Sequence, residues 1–216
     1  KDSSTPLWGY EADDNLVDVS ISADGEYIVA GSRDEKIYLF NRDNSTPLWS
    51  YVTGDDITSV AISADGECIV VGSYDDKVYL FGKDSSTPLW SYDTGIDVRS
   101  VSISADGEYI VAGSHNNKIY LFGKNTSTPV WSYTLGDDAL VSISADGKYI
   151  AVGSKDDYVY IFKNNLADRP SLLAYGPRSG SDTSTAPQLG WFAGSDDRSN
   201  LTFDVYLDTD SDPTTK

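Results

Sequence analysis

Hydrophobic and polar positions along most of the chain fall into short runs of β-type period, with no helical stripe. In VRSVSIS (98–104) Val101 and Ile103 share one face, as on a half-buried strand. The tetrad SADG follows, and Asp106-Gly107 predicts a hairpin in which both residues tolerate φ > 0. YIVAGS (109–114) is continuously apolar, which suits a strand covered on both faces, with Ala112 and Gly113 allowing a neighbouring sheet to approach closely. KIYLF (118–122) places Ile119 and Leu121 on one face and Tyr120 and Phe122 on the other. After the loop GKNTSTP, the run VWSY (130–133) carries Trp131 and Tyr133 on one face.

This four-run unit repeats. Trp8, Trp49, Trp90 and Trp131 recur every 41 residues, and Gly25, Gly66, Gly107 and Gly147 follow at intervals of 41, 41 and 40. Four antiparallel strands per unit of this length predict an all-β chain in the form of a β-propeller, each unit being one blade. A lone blade exposes two apolar faces, and radial packing of blades covers both. The repeated Trp is expected to wedge between adjacent blades near the outer strand, its loss costing about 3–5 kcal/mol. The expected domain is residues 1–163. It opens with an outer strand, Pro6–Tyr10, and its fourth unit lacks a Trp-bearing strand after Phe162, so the first strand could complete the last blade. Removal of further N-terminal blades and pairing of two chains are the other ways to complete a ring, and truncation is the preferred expectation.

The first three strands, V-x-S-V-x-I-S-x-D-G-E-Y-I-V-A-G-S-x-D-x-K-I-Y-L-F, resemble the WD-repeat pattern, but Phe40, Phe81, Phe122 and Phe162 stand where that family has Trp-Asp. The segment YLFGKDSSTPLW (79–90) is closer to the tryptophan-docking repeat of quinoprotein-like propellers. Together they resemble the hybrid WD/quinoprotein-like propellers of prokaryotic, especially archaeal, surface proteins. The resemblance implies a fold and a cell-surface setting, and leaves the activity open because propellers host many functions.

Beyond the repeats, NNLADRPSLLAYGPRSGSDTSTAP is rich in Gly, Pro, Ser and Thr, and predicts a linker over 164–186. PQLGWFAGSDDRSNLTFDVYLDTD then resembles the start of a fibronectin type III-like or Ig-like sandwich, predicting a partial β-sandwich segment over 187–216.

Charge narrows the partners. The chain carries 34 acidic and 16 basic residues, a net charge of -18. Such a field repels phosphate backbones and anionic lipid, so neither nucleic acid nor a membrane surface is expected as a partner. Loosely held divalent cations suit it. No run is long and apolar enough to insert directly into a membrane. Cys68 is the single cysteine and takes the slot of Tyr27, Tyr109 and Tyr149, which predicts a buried, inert thiol.

Catalytic chemistry is not legible. His115 is the one histidine, no G-x-S-x-G elbow accompanies it, and no carboxylate pair stands out from the general acidity. No cofactor is expected, since a quinone is suggested by kinship alone. Asp208, Asp210 and Asp212 are spaced as in calcium loops but lack the later Gly and Glu, so an acidic turn explains them without metal. Asn44, Asn125 and Asn200 begin glycosylation sequons.

The informative signal is divergence between units. In a propeller the loops joining strands one to two and three to four share one end, and here they are the near-constant SADG and STP stretches. The loops joining strands two to three and four to one share the other end, and here they are rewritten. Arg33-Asp34, Tyr74-Asp75, His115-Asn116 and Lys155-Asp156 form one series, and Asp14, Asp55, Ile96 with Arg99, and Asp137 lie near the other. Loops on a rigid scaffold are where specificity is placed, although unrestrained drift explains the same pattern. The expectation is a non-enzymatic extracellular module, structural or recognising protein or glycan (a surface layer, sheath or adhesin component), with self-association a further option. The alternative is a fragment of a quinoprotein-like or sugar-active propeller enzyme or sensor.

Overall fold

The alternating runs fold as strands between Leu16 and Lys163, within residues 4–167, the part of the chain that the structure, a computed structural model, describes, whereas the expected outer strand Pro6–Tyr10 does not form as a strand. The first sheet comprises β1 (Leu16–Ile21), β2 (Tyr27–Ser32), β3 (Lys36–Asn41) and β4 (Trp49–Val52). The second comprises β5 (Ile57–Ile62), β6 (Cys68–Ser73), β7 (Lys77–Gly82) and β8 (Trp90–Asp93). The third comprises β9 (Val98–Ile103), β10 (Tyr109–Ser114), β11 (Lys118–Gly123) and β12 (Trp131–Thr134). The fourth has only three strands, β13 (Ala139–Ile143), β14 (Tyr149–Ser154) and β15 (Val159–Lys163). Strands pair antiparallel in chain order within each sheet, and first strands neighbour one another in sequence, β1 beside β5, β5 beside β9 and β9 beside β13. This is the blade arrangement of a β-propeller.

The core lies between blades. Ile119 and Leu121 of β11 pack toward the fourth blade, while Tyr120 and Phe122 of the same strand pack toward the second. Gly113 shows why the second strand carries a glycine. A methyl there would meet the Ala139 carbonyl oxygen at 2.6 Å, so only hydrogen lets the next inner strand approach this closely. Gly31 and Gly72 hold the same position against Ile57 and Val98. Each fully buried aliphatic side chain adds about 1.5–3 kcal/mol, so the three joints dominate the stability of the array.

An aromatic clamp fastens each joint from outside. Trp49 and Tyr51 of β4 close on Phe81 of the next blade, with ring centroids 5.5 and 5.2 Å apart, and Trp49 Nε1 donates to the Lys83 carbonyl at 2.7 Å. Trp90 with Tyr92 repeats this on Phe122, and Trp131 with Tyr133 on Phe162. The tryptophans therefore dock where the pattern placed them, but they are half-buried rather than core. Their loss should cost less than the 3–5 kcal/mol of a fully buried aromatic.

Trp8 docks on Phe40 in the same way, at 5.4 Å, with Nε1 bonded to the Arg42 carbonyl. Residues around it thus lie against the first blade. They do not complete the fourth, which keeps three strands among the described residues, so closure of the last blade by the first strand is not made here.

Two local features depart from expectation. In the SADG turns only the glycines have φ > 0, between 68° and 74°. The aspartate serves as an acceptor instead: Asp24 takes the Ser22 hydroxyl at 2.6 Å and the Glu26 N–H at 2.9 Å. These bonds, the Ser22 hydroxyl first, hold the Asp24 carboxyl below its usual range. The shortened spacing of 40 residues also has a physical origin. β1, β5 and β9 each carry a β-bulge, at Val17, Thr58 and Arg99, whereas β13 pairs with β14 without one. The missing residue is the bulge.

Candidate interaction face

The predicted sorting of loops to two ends is realised through hydrogen bonds. At one end the SADG turns chain blade to blade, Ala23 N–H to the Ala64 carbonyl, Ala64 to Ala105 and Ala105 to Ala145, each at 2.9 Å. Asn44 and Asn125 are exposed in strand-three-to-four loops, outside the opposite face considered next. At that opposite end the strand-two-to-three hairpin binds the strand-four-to-one loop. Arg33, Tyr74, His115 and Lys155 each give their backbone N–H to the carbonyl of Asn15, Asp56, Asp97 and Asp138 in turn.

Within each hairpin the second residue is structural. Asp75 accepts the Lys77 N–H at 3.1 Å, the Gly54 N–H at 2.9 Å and the Tyr79 hydroxyl. Asp34 and Asp156 accept the corresponding Tyr38 and Tyr160 hydroxyls, and Asn116 pairs with Tyr120. Burial and then the Asp75 bond push the Tyr79 hydroxyl far above its usual value, so it stays a protonated donor. The third residue adopts φ of 61–71° at Glu35, Asp76, Asn117 and Asp157, which closes the hairpin. Asp34, Asp75, Asn116 and Asp156 therefore hold the loops together rather than pointing outward. Asp14, Asp55, Ile96 and Asp137 are also structural through their carbonyls, which accept the hydroxyls of Ser32, Ser73, Ser114 and Ser154, while their side chains are exposed.

The first hairpin residues are left to differ, and three of them meet across blades. Arg99, re-aimed by its bulge, donates to the Tyr74 hydroxyl at 2.8 Å. His115 lies 3.3 Å from both Asp97 and Asp138, and Lys155 binds Asp138 at 2.7 Å. The Lys155 ammonium, ahead of the more distant cations, holds the Asp138 carboxyl below its usual range. Beside this cluster is a cleft of about 330 Å³ lined by Arg99, Asp138, Leu140 and Lys155. Asp97 and Asp138 escaped the sequence reading because they sit one place beyond the positions that differ most. Arg33 is exposed at the far end of the arc.

Cys68 is buried, with its thiol raised first by desolvation. No cluster of metal-ligating side chains occurs among the described residues. A carboxylated quinone needs cationic partners, and the four inner strands present Asp18, Ser59 and Ser100 with Arg99 as their one cation, a poor fit. Asp208, Asp210, Asp212, Asn200, the sandwich-like segment and most of the linker lie outside the described residues. No helix of the described residues is long and apolar enough to cross a membrane.

Among known families, the chain matches the model of the PQQ_2 family, described as outer membrane protein assembly factor BamB, over residues 2–165. None of the curated proteins compared matches the chain.

Proposed function

Because the chain belongs to the PQQ_2 family of quinoprotein-like propellers, we propose that it is a non-enzymatic binding module. Its contact face is the end bearing the Arg33, Tyr74, His115 and Lys155 loops, and it works outside the cell, at the cell surface. The observation that carries this reading is the division of labour in those loops. The second and third hairpin positions vary only among Asp, Asn and Glu and are committed to backbone geometry or a tyrosine hydroxyl, while the first changes from Arg to Tyr, His and Lys. A rigid rim with interchangeable side chains suits selection of a partner surface.

A protein partner fits better than a glycan. The rim offers alternating charges in Arg99, Asp138 and Lys155, which suit a charged protein surface, with the exposed ring of Tyr158 beside the fourth hairpin as a further contact. The family description, a factor in protein assembly, points the same way. The setting at a prokaryotic, archaeal-type surface, with an Ig-like module following the propeller, rests on the repeat and tail patterns alone.

A photo-crosslinking amino acid at position 74, compared with one at position 86 on the opposite end, tests the face. Each variant is incubated with envelope proteins of the source cells. Discrete protein adducts from position 74 only are expected. Equal labelling from both positions, adducts on glycan alone, or quinone absorbance in the purified chain would overturn the proposal.

A further inference from the structure

The three internal joints define what a blade face needs, and the two outermost faces of the array have it without a partner among the described residues. On β1, Leu16, Val19 and Ile21 are 47%, 63% and 59% exposed, while their counterparts Ile57, Val60 and Ile62 are 1%, 4% and 8% exposed. On the last blade, Val159 and Ile161 are 77% and 65% exposed, against 0% for Ile119 and Leu121. Nothing lies within 4 Å of a methyl built on Gly153, although Gly31, Gly72 and Gly113 all exist to admit the next inner strand. Among the described residues, the edge of β15 lacks the fourth strand that β3, β7 and β11 possess.

We propose that a second copy of this chain fills these faces, the fourth blade of each copy packing on the first blade of the other to close an eight-bladed dimer. In it, residues 6–10 of one copy serve as the fourth strand of the other's last blade.

The joint is specified by residues of this chain. Inner strands are stapled in sequence: the Val60 N–H bonds Asp18 at 2.8 Å, the Val101 N–H bonds Ser59 at 3.3 Å and the Val141 N–H bonds Ser100 at 3.2 Å. In β13 the stapling position is Leu140, which pairs with Gly153 as Ser100 pairs with Gly113 and accepts no hydrogen bond. A strand laid against it must satisfy its own N–H. β1 does so, since the Val19 N–H bonds the carboxylate of Asp18 at 2.9 Å.

The turn glycines agree. Gly66 and Gly147 each receive the tyrosine of the preceding blade, a methyl there meeting Tyr27 and Tyr109 at 2.7 and 2.6 Å. Gly25 meets only its own Ile21, and Tyr149 is 51% exposed, so each lacks what the other provides.

Trp8 is already seated on Phe40, as a docking tryptophan from a preceding fourth strand is. That seat places Leu7 to pair with Ile161 of the second copy, as Leu48 pairs with Leu39 and Val130 with Leu121. Both joints of the dimer are then the joint made three times inside each chain. Closure covers both end faces of the array and leaves only the short edges of each blade, as radial repetition does.

Light scattering on the 216-residue chain tests the proposal, with Val19→Asp and Val159→Asp as joint variants and Leu89→Asp as an exposed apolar control on an outer loop. The parent and the control should run at twice 23.5 kDa, and each joint variant at 23.5 kDa with its circular dichroism unchanged. Both substituted valines face solvent in a single copy, so the fold does not depend on them. A monomeric parent, whether its faces are bare or covered by another part of the chain, would overturn the proposal. So would a mass that climbs beyond twice 23.5 kDa with concentration, a joint variant that stays dimeric, or a control that dissociates.

Discussion

Gly113→Ala and Gly153→Ala make one chemical change at equivalent places in neighbouring blades, and the packing assigns them opposite signs. At Gly113 the new methyl would lie 2.6 Å from the Ala139 carbonyl oxygen and 3.3 Å from the carbonyl carbon and Val141. The obstacle is backbone, so relief requires β13 to move away from β10. Overpacking of this kind costs about 2–3 kcal/mol, near the top of the usual range. Loss of glycine freedom in the unfolded chain returns about 0.4–1 kcal/mol. The net is a destabilisation of about 1–2.5 kcal/mol, or a Tm lower by roughly 2–10 °C for a chain of this size. At Gly153 the methyl meets nothing and only the second effect operates, so Tm should rise by roughly 1–4 °C. Differential scanning calorimetry and urea titration at concentrations that keep the chain monomeric would read both. Equal shifts of the same sign would refute the claim that these glycines exist to admit the next blade.

The remaining predictions concern the binding end. Replacing Tyr74 and His115 by Ser should move Tm by less than about 2 °C, because these half-buried side chains hold no backbone group. Asp75→Ala, which strands the Tyr79 hydroxyl and two backbone N–H groups, should cost about 2–4 kcal/mol in urea unfolding. If both changes cost the same, the division between structural and free loop positions fails. Asp138 is held below its usual 3.8 by Lys155, so it favours the fold above that pH and the benefit disappears as pH falls through its folded value. Lys155→Gln should therefore flatten the acid limb of the stability profile below about pH 4, and an unchanged profile would show that the pair contributes nothing.

The strands were legible because each run has a period of two and each turn carries Gly or Asp at a fixed offset. Local chemistry sufficed there, as in the SADG turns, although which residue takes φ > 0 depended on how Ser22 and Asp24 bond. The candidate site was half legible. Arg33, Tyr74, His115 and Lys155 stood out as the changing letters, but Asp34, Asp75, Asn116 and Asp156 looked equally variable until their tyrosine partners were seen four residues on. Asn116 keeps the oxygen that accepts the backbone N–H two residues on, and ties its tyrosine by donating through Nδ2 where Asp75 accepts, so a letter can change while the tie remains. The sequence by itself determined an all-β array of four blades, its repeat and the two ends to which its loops sort, because period, turn residues and strand order are local and additive. Tertiary structure decided the rest. Only packing shows that Gly113 is crowded and Gly153 open, that Arg99 sits on a bulge its counterpart blade has lost, and that Leu16 and Val159 face solvent. Burial belongs to neighbours in space, and identical repeats acquire different neighbours according to whether they stand inside the array or at its ends.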